Sequence, residues 1–212
     1  KPPLYKMKKK ILAIGAHPDD IELGCGASIA NFCEKNYEIT ALIFSNCNES
    51  LKKSFPKNVL LNESFKSLKY LGKKIKIKYF NFPVRRFNFF RQDILECLIK
   101  YNKKQFEYVF VNSLRDVHQD HKVISEETLR AFKNQNILFY QFPWNLNKIK
   151  IDVSIEVKER HIKKKIKSLS FYKSQSHKYY FKKDNIIINL KWGGQFSNSQ
   201  YSEVFEINKL NL

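Results

Sequence analysis

The chain is short of acidic residues, of paired cysteines and of long apolar segments. Its 212 residues include 39 Lys and Arg against 20 Asp and Glu, a formal net charge of +19 at pH 7. No run approaches the roughly 20 apolar residues of a membrane span, and no signal-peptide pattern is present, so we expect a soluble, cytoplasmic protein. The four cysteines show no Cys-x-x-Cys spacing, which argues against a cysteine zinc cage.

Methionine is nearly absent, because Met7 is the only one in the sequence. We therefore expect Met7 to be the native start and Lys1 to Lys6 to be a remnant of expression. Residues 7–212 are long enough for a single domain with its own core. The chain is 43% hydrophobic and 15% aromatic, which is typical of a folded protein and not of a disordered one.

Short apolar runs alternate with segments of helical periodicity along most of the chain. Strands are predicted for runs rich in Ile, Val, Phe and Tyr at 10–16, 39–44, 75–80, 108–112 and 137–141. Helices are predicted where apolar residues recur at helical spacing, at 26–35, 59–71, 90–101 and 122–132. This alternation predicts an α/β fold with a Rossmann-like, largely parallel sheet flanked by helices.

The pattern is less regular after about residue 142. Residues 151–157 alternate as a half-buried strand does, and a helix is predicted from there to about Tyr172. The apolar runs at 186–190 and 204–207 are predicted to add antiparallel strands at the edge of the sheet. We see no internal repeat or low-complexity linker.

The excess of positive charge has two interpretations. One is a nucleic-acid-binding surface. The densest cluster, Lys158 to Lys167 with Lys163-Lys164-Lys165, lies on a segment whose apolar residues recur at helical spacing, so a solvated helix face is favoured. A positive field would still favour anionic substrates such as nucleotide-linked sugars.

Metal-ligand side chains concentrate where the first predicted strand ends. His17 and Asp20 stand three residues apart, so a turn can direct both at one point, while Asp19 between them keeps its own carboxylate free. Imidazole and carboxylate are ligands that divalent metals favour, and catalytic zinc usually takes three protein ligands and one water. The chain should therefore supply a third ligand.

The stretch 116–121, Asp-Val-His-Gln-Asp-His, is the obvious donor of that ligand. It follows the predicted strand at 108–112, so both stretches belong at the carboxyl ends of strands. Ligands bind at that edge of an open α/β sheet. The sequence therefore predicts that two loops meet over one metal ion.

At these residues the chain resembles the PIG-L/LmbE superfamily of metal-dependent N-deacetylases, in particular a bacterial branch. The resemblance rests on His17-Pro18-Asp19-Asp20 and His118-Gln119-Asp120-His121, with weaker likeness at 21–26, 82–87, 142–145 and 172–175. It covers roughly residues 10 to 176. One departure is Ala27, where many relatives have a second glycine.

The resemblance implies a ligand set of His17, Asp20 and His121, with zinc as the expected ion and Fe2+ or another divalent ion left open. Asp19 is then the general base, close to the metal-activated water. His118 would donate to the oxyanion, and Asp120 would hold His118 in the required tautomer.

Arg85 and Arg86 follow a predicted strand and are candidates for binding a phosphate or carboxylate of the substrate. Aromatic residues near the expected mouth, Phe87, Phe89, Phe90 and Trp144, are candidates for stacking on a sugar ring, although packing in the core is the commoner outcome. His161 and His177 are interpreted as incidental.

Each of these residues also has a purely structural interpretation. An Asp-Asp pair after a strand usually caps a helix N-terminus. His118 and His121 would fit surface loops, and Arg85 and Arg86 would fit a solvated pair or structural ion pairs. The presence of both motifs at strand ends favours the metal site.

The resemblance implies hydrolysis of an N-acyl group, most often N-acetyl, from an amino sugar or glycoconjugate, with release of acetate and a free amine. Two histidines and one carboxylate also form the ligand triad of non-haem iron oxygenases, and a basic nucleic-acid-binding protein is a third class. The spare carboxylate of Asp19 favours the hydrolase. The expected partner is a small amino-sugar substrate, nucleotide-linked or otherwise anionic, and no nucleic acid. Nothing in the sequence specifies an oligomeric state.

Overall fold

A computed structural model describes residues 8–208 of the chain. The expectations for Lys1 to Lys6 and for Met7 lie outside these residues. Within 8–208 no helix is both long enough and apolar enough to cross a bilayer.

The chain forms one seven-stranded sheet in the order β3-β2-β1-β4-β5-β7-β6. Its five parallel strands are β1 (Lys10–Gly15), β2 (Glu38–Ile43), β3 (Lys76–Tyr79), β4 (Tyr108–Asn112) and β5 (Ile137–Tyr140). The two others, β6 (Val153–Glu156) and β7 (Ser202–Ile207), are antiparallel to their neighbours. The α/β fold and the antiparallel C-terminal strands predicted from the sequence are confirmed.

The helices of the described chain are α1 (Asp20–Glu34), α2 (Val59–Leu71), α3 (Arg91–Asn102), α4 (Gln119–Ala131), α5 (Glu159–Leu169) and α6 (Lys183–Gly194). Strand β1 shows how they sandwich the sheet, because its residues alternate between two cores. Ile11 and Ala13 pack with Ile29 of α1, whereas Leu12 and Ile14 belong to the core that contains α3 and α4 residues. A sheet covered on both faces requires strands that are apolar throughout, as β1 is.

The prediction of an edge strand at 186–190 is wrong, because these residues lie in α6. A short apolar run does not distinguish the two structures by itself. In the helix Ile186 and Leu190, four residues apart, are buried, while Ile188 is 60% exposed. This spacing gives α6 one buried face.

Helix α1 begins at Asp20, six residues before the predicted start, and it bends within its glycine-rich segment. Cys25 has non-helical backbone angles, φ −141° and ψ 20°. Gly24 lies against the buried ring of Tyr140, where a Cβ atom would overlap the ring. The bend and the missing side chain let α1 pack closely on β5.

Strand order reverses beside β1. From β1 the sheet extends through β2 to β3, and the chain then returns to place β4 on the other side of β1. The helices that follow these two strands, α1 and α4, belong to opposite faces of the sheet. Their loops therefore diverge and leave a crevice at the carboxyl ends of β1 and β4, the usual ligand-binding position in such sheets.

Candidate metal centre

The crevice brings His17, Asp20 and His121 together. The Nδ1 atom of His17 lies 3.0 Å from Nε2 of His121. The Asp20 carboxylate lies 3.4 Å from Nε2 of His121 and 3.7 Å from Nδ1 of His17. Asp20 also accepts a hydrogen bond from the backbone N–H of His17 at 2.9 Å, which closes the turn that holds the two side chains on one side.

The outer nitrogens of both imidazoles face carboxylates. Nδ1 of His121 lies 2.8 Å from Asp116, and Nε2 of His17 lies 3.1 Å from Asp120. When these outer nitrogens donate, the inner nitrogens of neutral imidazoles carry lone pairs that face each other. Carboxylates commonly fix metal-binding histidines in this way. The donor set therefore fits a divalent cation.

The electrostatics of the crevice also favour a positive charge there. Burial disfavours a charged imidazole, yet Asp20 raises the pKa of His17 and, together with Asp116, raises the pKa of His121 to about 10. A buried position that holds protons this strongly is also suited to a metal cation, since both respond to the same negative potential.

His118 lies in the same cluster. Its ring centre is 4.8 Å from that of His17 and 4.6 Å from that of His121. The ligand atoms of the three histidines all fall within 4.8 Å of one another, so geometry alone also allows a three-histidine set. The predicted set of His17, Asp20 and His121 differs from it in one ligand.

The protonation of His118 suits a neutral hydrogen-bond donor. Its Nδ1 accepts a hydrogen bond from the backbone N–H of Asp120 at 3.2 Å, which leaves the proton of the neutral ring on Nε2. Burial and the neighbouring His17 and His121 lower its pKa to about 4.

The Asp120 carboxylate does not hold His118 as we expected. Only the backbone amide of Asp120 contacts that ring, while the carboxylate lies against His17. It also accepts backbone N–H bonds from Arg85 at 2.6 Å and Phe87 at 3.3 Å. Arg85 adopts a left-handed φ of 66° there, so the loop after β3 wraps around this carboxylate.

Asp19 occupies the position before α1 but does not cap the helix. No side-chain capping hydrogen bond is present at this N-terminus, which removes the structural interpretation of this carboxylate. Asp19 lines the cavity over the histidine cluster. Burial raises its pKa, and the nearby Lys178 acts in the opposite direction. The Asp19 carboxylate is half-buried at the cavity wall, where it can take a proton from a molecule bound in the cavity.

The cavity above the cluster has a volume of about 410 Å3. Of the two predicted arginines, Arg85 lines it and Arg86 does not, because the chain turns away after the left-handed residue. Phe87 is fully buried in the core. Trp144 lines the cavity, but Phe142 and Tyr180 already stack on it with ring centres at 5.1 and 4.3 Å. A sugar-stacking role is therefore not supported for Phe87, and Trp144 forms part of a protein aromatic stack.

Sequence reasoning missed three residues of this site. Asp116, which orients His121, stands two residues before His118, and its place in the same acidic-histidine stretch was an available signal. His177 and Lys178 line the cavity. His161, interpreted as incidental, is buried outside the cavity lining and lies 2.9 Å from Glu34 on α1.

Comparison with known proteins gives matches at three levels. The family model PIG-L, described as GlcNAc-PI de-N-acetylase, matches residues 12–132. The Escherichia coli (strain K12) protein named "Uncharacterized deacetylase YaiS" is 33% identical over 174 residues, which are 79% of this chain and 92% of that protein.

Solved structures share the fold at lower identity. N,N'-diacetylchitobiose deacetylase from Pyrococcus horikoshii matches with a TM-score of 0.78 at 18% identity, over 96% of this chain and 85% of that one. GalB, the 4-carboxy-2-hydroxymuconate hydratase from Pseudomonas putida KT2440, matches with a TM-score of 0.79 at 18% identity, over 96% and 98%. The second match demonstrates that this fold also carries a different reaction.

Proposed function

Because this chain belongs to the PIG-L family, we propose that it is a zinc-dependent N-deacetylase that releases acetate from an N-acetylated amino sugar. The observation that carries the proposal is the convergence of His17, Asp20 and His121 at 3.0 to 3.7 Å, with the carboxylate of Asp19 in the wall of the same cavity. The family's description and the relative's name both refer to deacetylation. The fold alone would not select this reaction, as the hydratase match demonstrates.

We assign the metal to His17, Asp20 and His121, with the outer carboxylates Asp116 and Asp120 orienting the two rings. Asp20 is preferred to His118 as third ligand because its carboxylate lies close to both inner nitrogens. A bound divalent ion lowers the pKa of a water ligand and polarises an amide oxygen.

The remaining steps belong to residues of the chain. Asp19 takes a proton from the attacking water and later delivers it to the nitrogen of the departing amine. His118 donates from Nε2 to the oxygen that becomes negative when the water adds to the amide carbon. The neutral state of His118 suits this role, because a donor with a fixed tautomer needs no prior protonation.

Acetate release is the direct test. Metal-stripped and zinc-restored protein would be assayed side by side on N-acetylated sugars, nucleotide sugars and glycolipid head groups, with iron-restored protein as a further arm. We expect zinc-restored protein to release acetate from one of these classes. Activity that requires iron and a 2-oxoacid would instead favour the oxygenase, and zinc-loaded protein that releases no acetate would contradict the proposal.

A further inference from the structure

The catalytic cavity shares part of its wall with a second, smaller cavity. The smaller cavity has a volume of about 70 Å3, compared with about 410 Å3 for the catalytic one. The residues that line both cavities are Leu23, Phe142, Trp144 and Tyr180. These four side chains therefore form a partition between the two spaces.

Three aromatic rings of the partition form a continuous stack. Phe142 and Tyr180 both stack on the Trp144 indole, with ring centres 5.1 and 4.3 Å away and interplanar angles of 8°. At one end, Phe142 packs edge-on against His121, a proposed metal ligand, with ring centres 5.7 Å apart. At the other end, the Lys178 ammonium lies 5.5 Å from the centre of the Tyr180 ring. The stack thus extends from the metal cluster along the cavity wall.

The backbone ties this stack to the loop that carries the histidines. Phe142 and Trp144 lie in the turn after β5, where the N–H of Asn145 donates to the Phe142 carbonyl at 2.8 Å. The Asn145 carbonyl accepts from the N–H of Val117 at 3.0 Å, and Val117 directly precedes His118. The partition is therefore held in a defined position relative to the proposed metal ligands.

The second cavity is suited to an alkyl chain. Beyond the partition, its apolar lining consists of Pro143, Ile149, Ile186, Leu190, Trp192 and Val204. The charged pair in its lining, Lys165 and Glu203, is joined at 2.6 Å and almost fully buried, so it offers no free charge to a ligand. Since about 10–15 Å3 holds one water molecule, a volume of about 70 Å3 has room for a short alkyl segment.

We propose that Trp144 sets the length of the acyl group that the enzyme removes. The stack closes the acyl end of the catalytic cavity, and the space behind it would hold the tail of a longer chain. The proposal rests on the proposed function for the reaction, which places the amide carbon at the metal cluster. The sugar side of that amide carries hydroxyl groups, whereas the acyl side is a bare methyl, which favours apolar surface. Phe142 supplies such a surface beside His121.

A series of N-acylglucosamines tests this proposal. Zinc-loaded protein would be assayed on the N-acetyl, N-propionyl, N-butyryl and N-hexanoyl compounds. We expect kcat/KM to fall at least about tenfold from acetyl to butyryl, because a closed apolar pocket discriminates one methylene by about 10- to 200-fold. Trp144→Ala should join the two cavities and raise the butyryl-to-acetyl ratio of kcat/KM about tenfold, since each methylene that becomes buried favours binding about fourfold.

Further variants locate the effect. Trp144→Phe keeps a ring in the stack and should retain the preference for acetyl, whereas Tyr180→Ala opens the stack from its other end and should weaken it. Phe55→Ala is the matched control, because in the described structure Phe55 lines the catalytic cavity and not the second one. It should leave the butyryl-to-acetyl ratio unchanged. A ratio that rises in Phe55→Ala and not in Trp144→Ala, or equal kcat/KM values across the series in wild type, would overturn the proposal.

A binding measurement separates this proposal from the catalytic one. Calorimetry with Asp19→Asn protein, with and without Trp144→Ala, compares N-acetylglucosamine and N-hexanoylglucosamine in the absence of turnover. Hexanoyl binding that is gained on Trp144→Ala supports the partition even if wild type releases no acetate. Acetate release by wild type with no gain of hexanoyl binding in the folded Trp144→Ala protein leaves the deacetylase standing and rejects the partition.

Discussion

Lys165 and Glu203 together replace one backbone hydrogen bond of helix α1. At the bend around Cys25 the carbonyl of Leu23 accepts from Lys165 at 2.7 Å, whereas the N–H of Ala27, four residues on, donates to Glu203 at 3.1 Å. Ser28 donates to the other carboxylate oxygen at 2.7 Å. The two side chains are joined to each other at 2.6 Å and are almost fully buried. Side chains that replace a backbone hydrogen bond in this way bend a helix while its backbone N–H and C=O groups stay hydrogen-bonded.

Removal of Lys165 should therefore be strongly destabilising. Lys165→Met leaves the buried Glu203 charge without its cation and the Leu23 carbonyl without a donor, so we expect the free energy of unfolding to fall by about 3–5 kcal/mol. Urea denaturation measures it. Lys163→Met on the same helix is the control, because its side chain is 81% exposed, and a change within about 0.5 kcal/mol is expected. Similar values for both variants would contradict this account of α1.

Gly24 should not tolerate a methyl group. Gly24→Ala places a Cβ atom against the Tyr140 ring, which is fully buried and bonded through its hydroxyl to the Ile14 carbonyl at 2.7 Å. Overpacking of this kind costs about 1–3 kcal/mol. Gly26→Ala should be the milder of the two variants, since its Cβ would lie 3.3 Å from Cγ of Lys165 and would not overlap a ring. Thermal unfolding should separate the two variants, and equal melting temperatures would contradict the expected clash.

Metal content and turnover should respond differently at the four central residues. Asp19→Asn is expected to keep the metal and to lose about 10²- to 10⁴-fold in kcat, the contribution of a general base. His118→Ala should also keep the metal but lose turnover, whereas Asp20→Ala and His121→Ala should lose the metal. Elemental analysis after dialysis provides the measurement. If His118→Ala lost the metal and Asp20→Ala retained it, His118 and not Asp20 would be the third metal ligand.

Asp116 should control metal affinity through His121. Asp116→Ala removes the carboxylate 2.8 Å from Nδ1 of His121, and loss of such a partner typically weakens metal binding about 10- to 100-fold. Competition against a chelating indicator measures the change. Asp116→Asn, which keeps an acceptor oxygen, should have the smaller effect. Asp93→Ala, at an exposed carboxylate on α3, is the control and should leave affinity unchanged.

Glu34 should make stability depend on acid pH. Hydrogen bonds from Arg160 and His161 lower its pKa from 4.5 to about 2. A carboxyl group with a lowered native pKa adds stability above its unfolded pKa, and this contribution is lost as pH falls from about 4.5 to about 2. The difference in urea midpoint between wild type and Glu34→Gln should therefore be constant near neutral pH and shrink over that interval. A difference independent of pH would contradict the shift.

The sequence predicts helices and strands best where the apolar residues fit only one of the two periods, helical or alternating. Helix α2 begins and ends at the predicted residues 59 and 71, because its apolar residues fit only the helical period. Helix α1 was predicted to begin at residue 26, since a Gly-Cys-Gly segment is a poor local helix former. The first turns of α1 exist because Lys165 and Glu203, distant in sequence, bond its interrupted backbone. Local propensity carries no information about such partners.

The candidate site also contains residues that the sequence predicts and contacts that it does not. His17, Asp19, Asp20 and His121 were predictable because two short motifs follow two strands of one sheet. The contact of Asp120 with His17 was not, since it depends on a loop after β3 that turns through a left-handed Arg85. Lys165 was assigned to a solvated helix face but is buried. A run of three lysines does not specify which one meets a carboxylate from β7.

The cavity is assembled from two parts of the chain with different tasks. The matched family region, 12–132, contains His17, Asp19, Asp20, His118 and His121. The wall also includes Trp144, His177, Lys178 and Tyr180, which lie beyond that region. Within that later segment Lys178 acts on the pKa of Asp19, so a mutation there would change the proposed base as well as the wall, whereas in the described structure no such link joins His177 to Asp19. A segment outside the matched region can therefore differ between relatives and change which molecules enter the cavity, and exchange of residues 173–177 should alter substrate preference while His17, Asp20 and His121 stay in place.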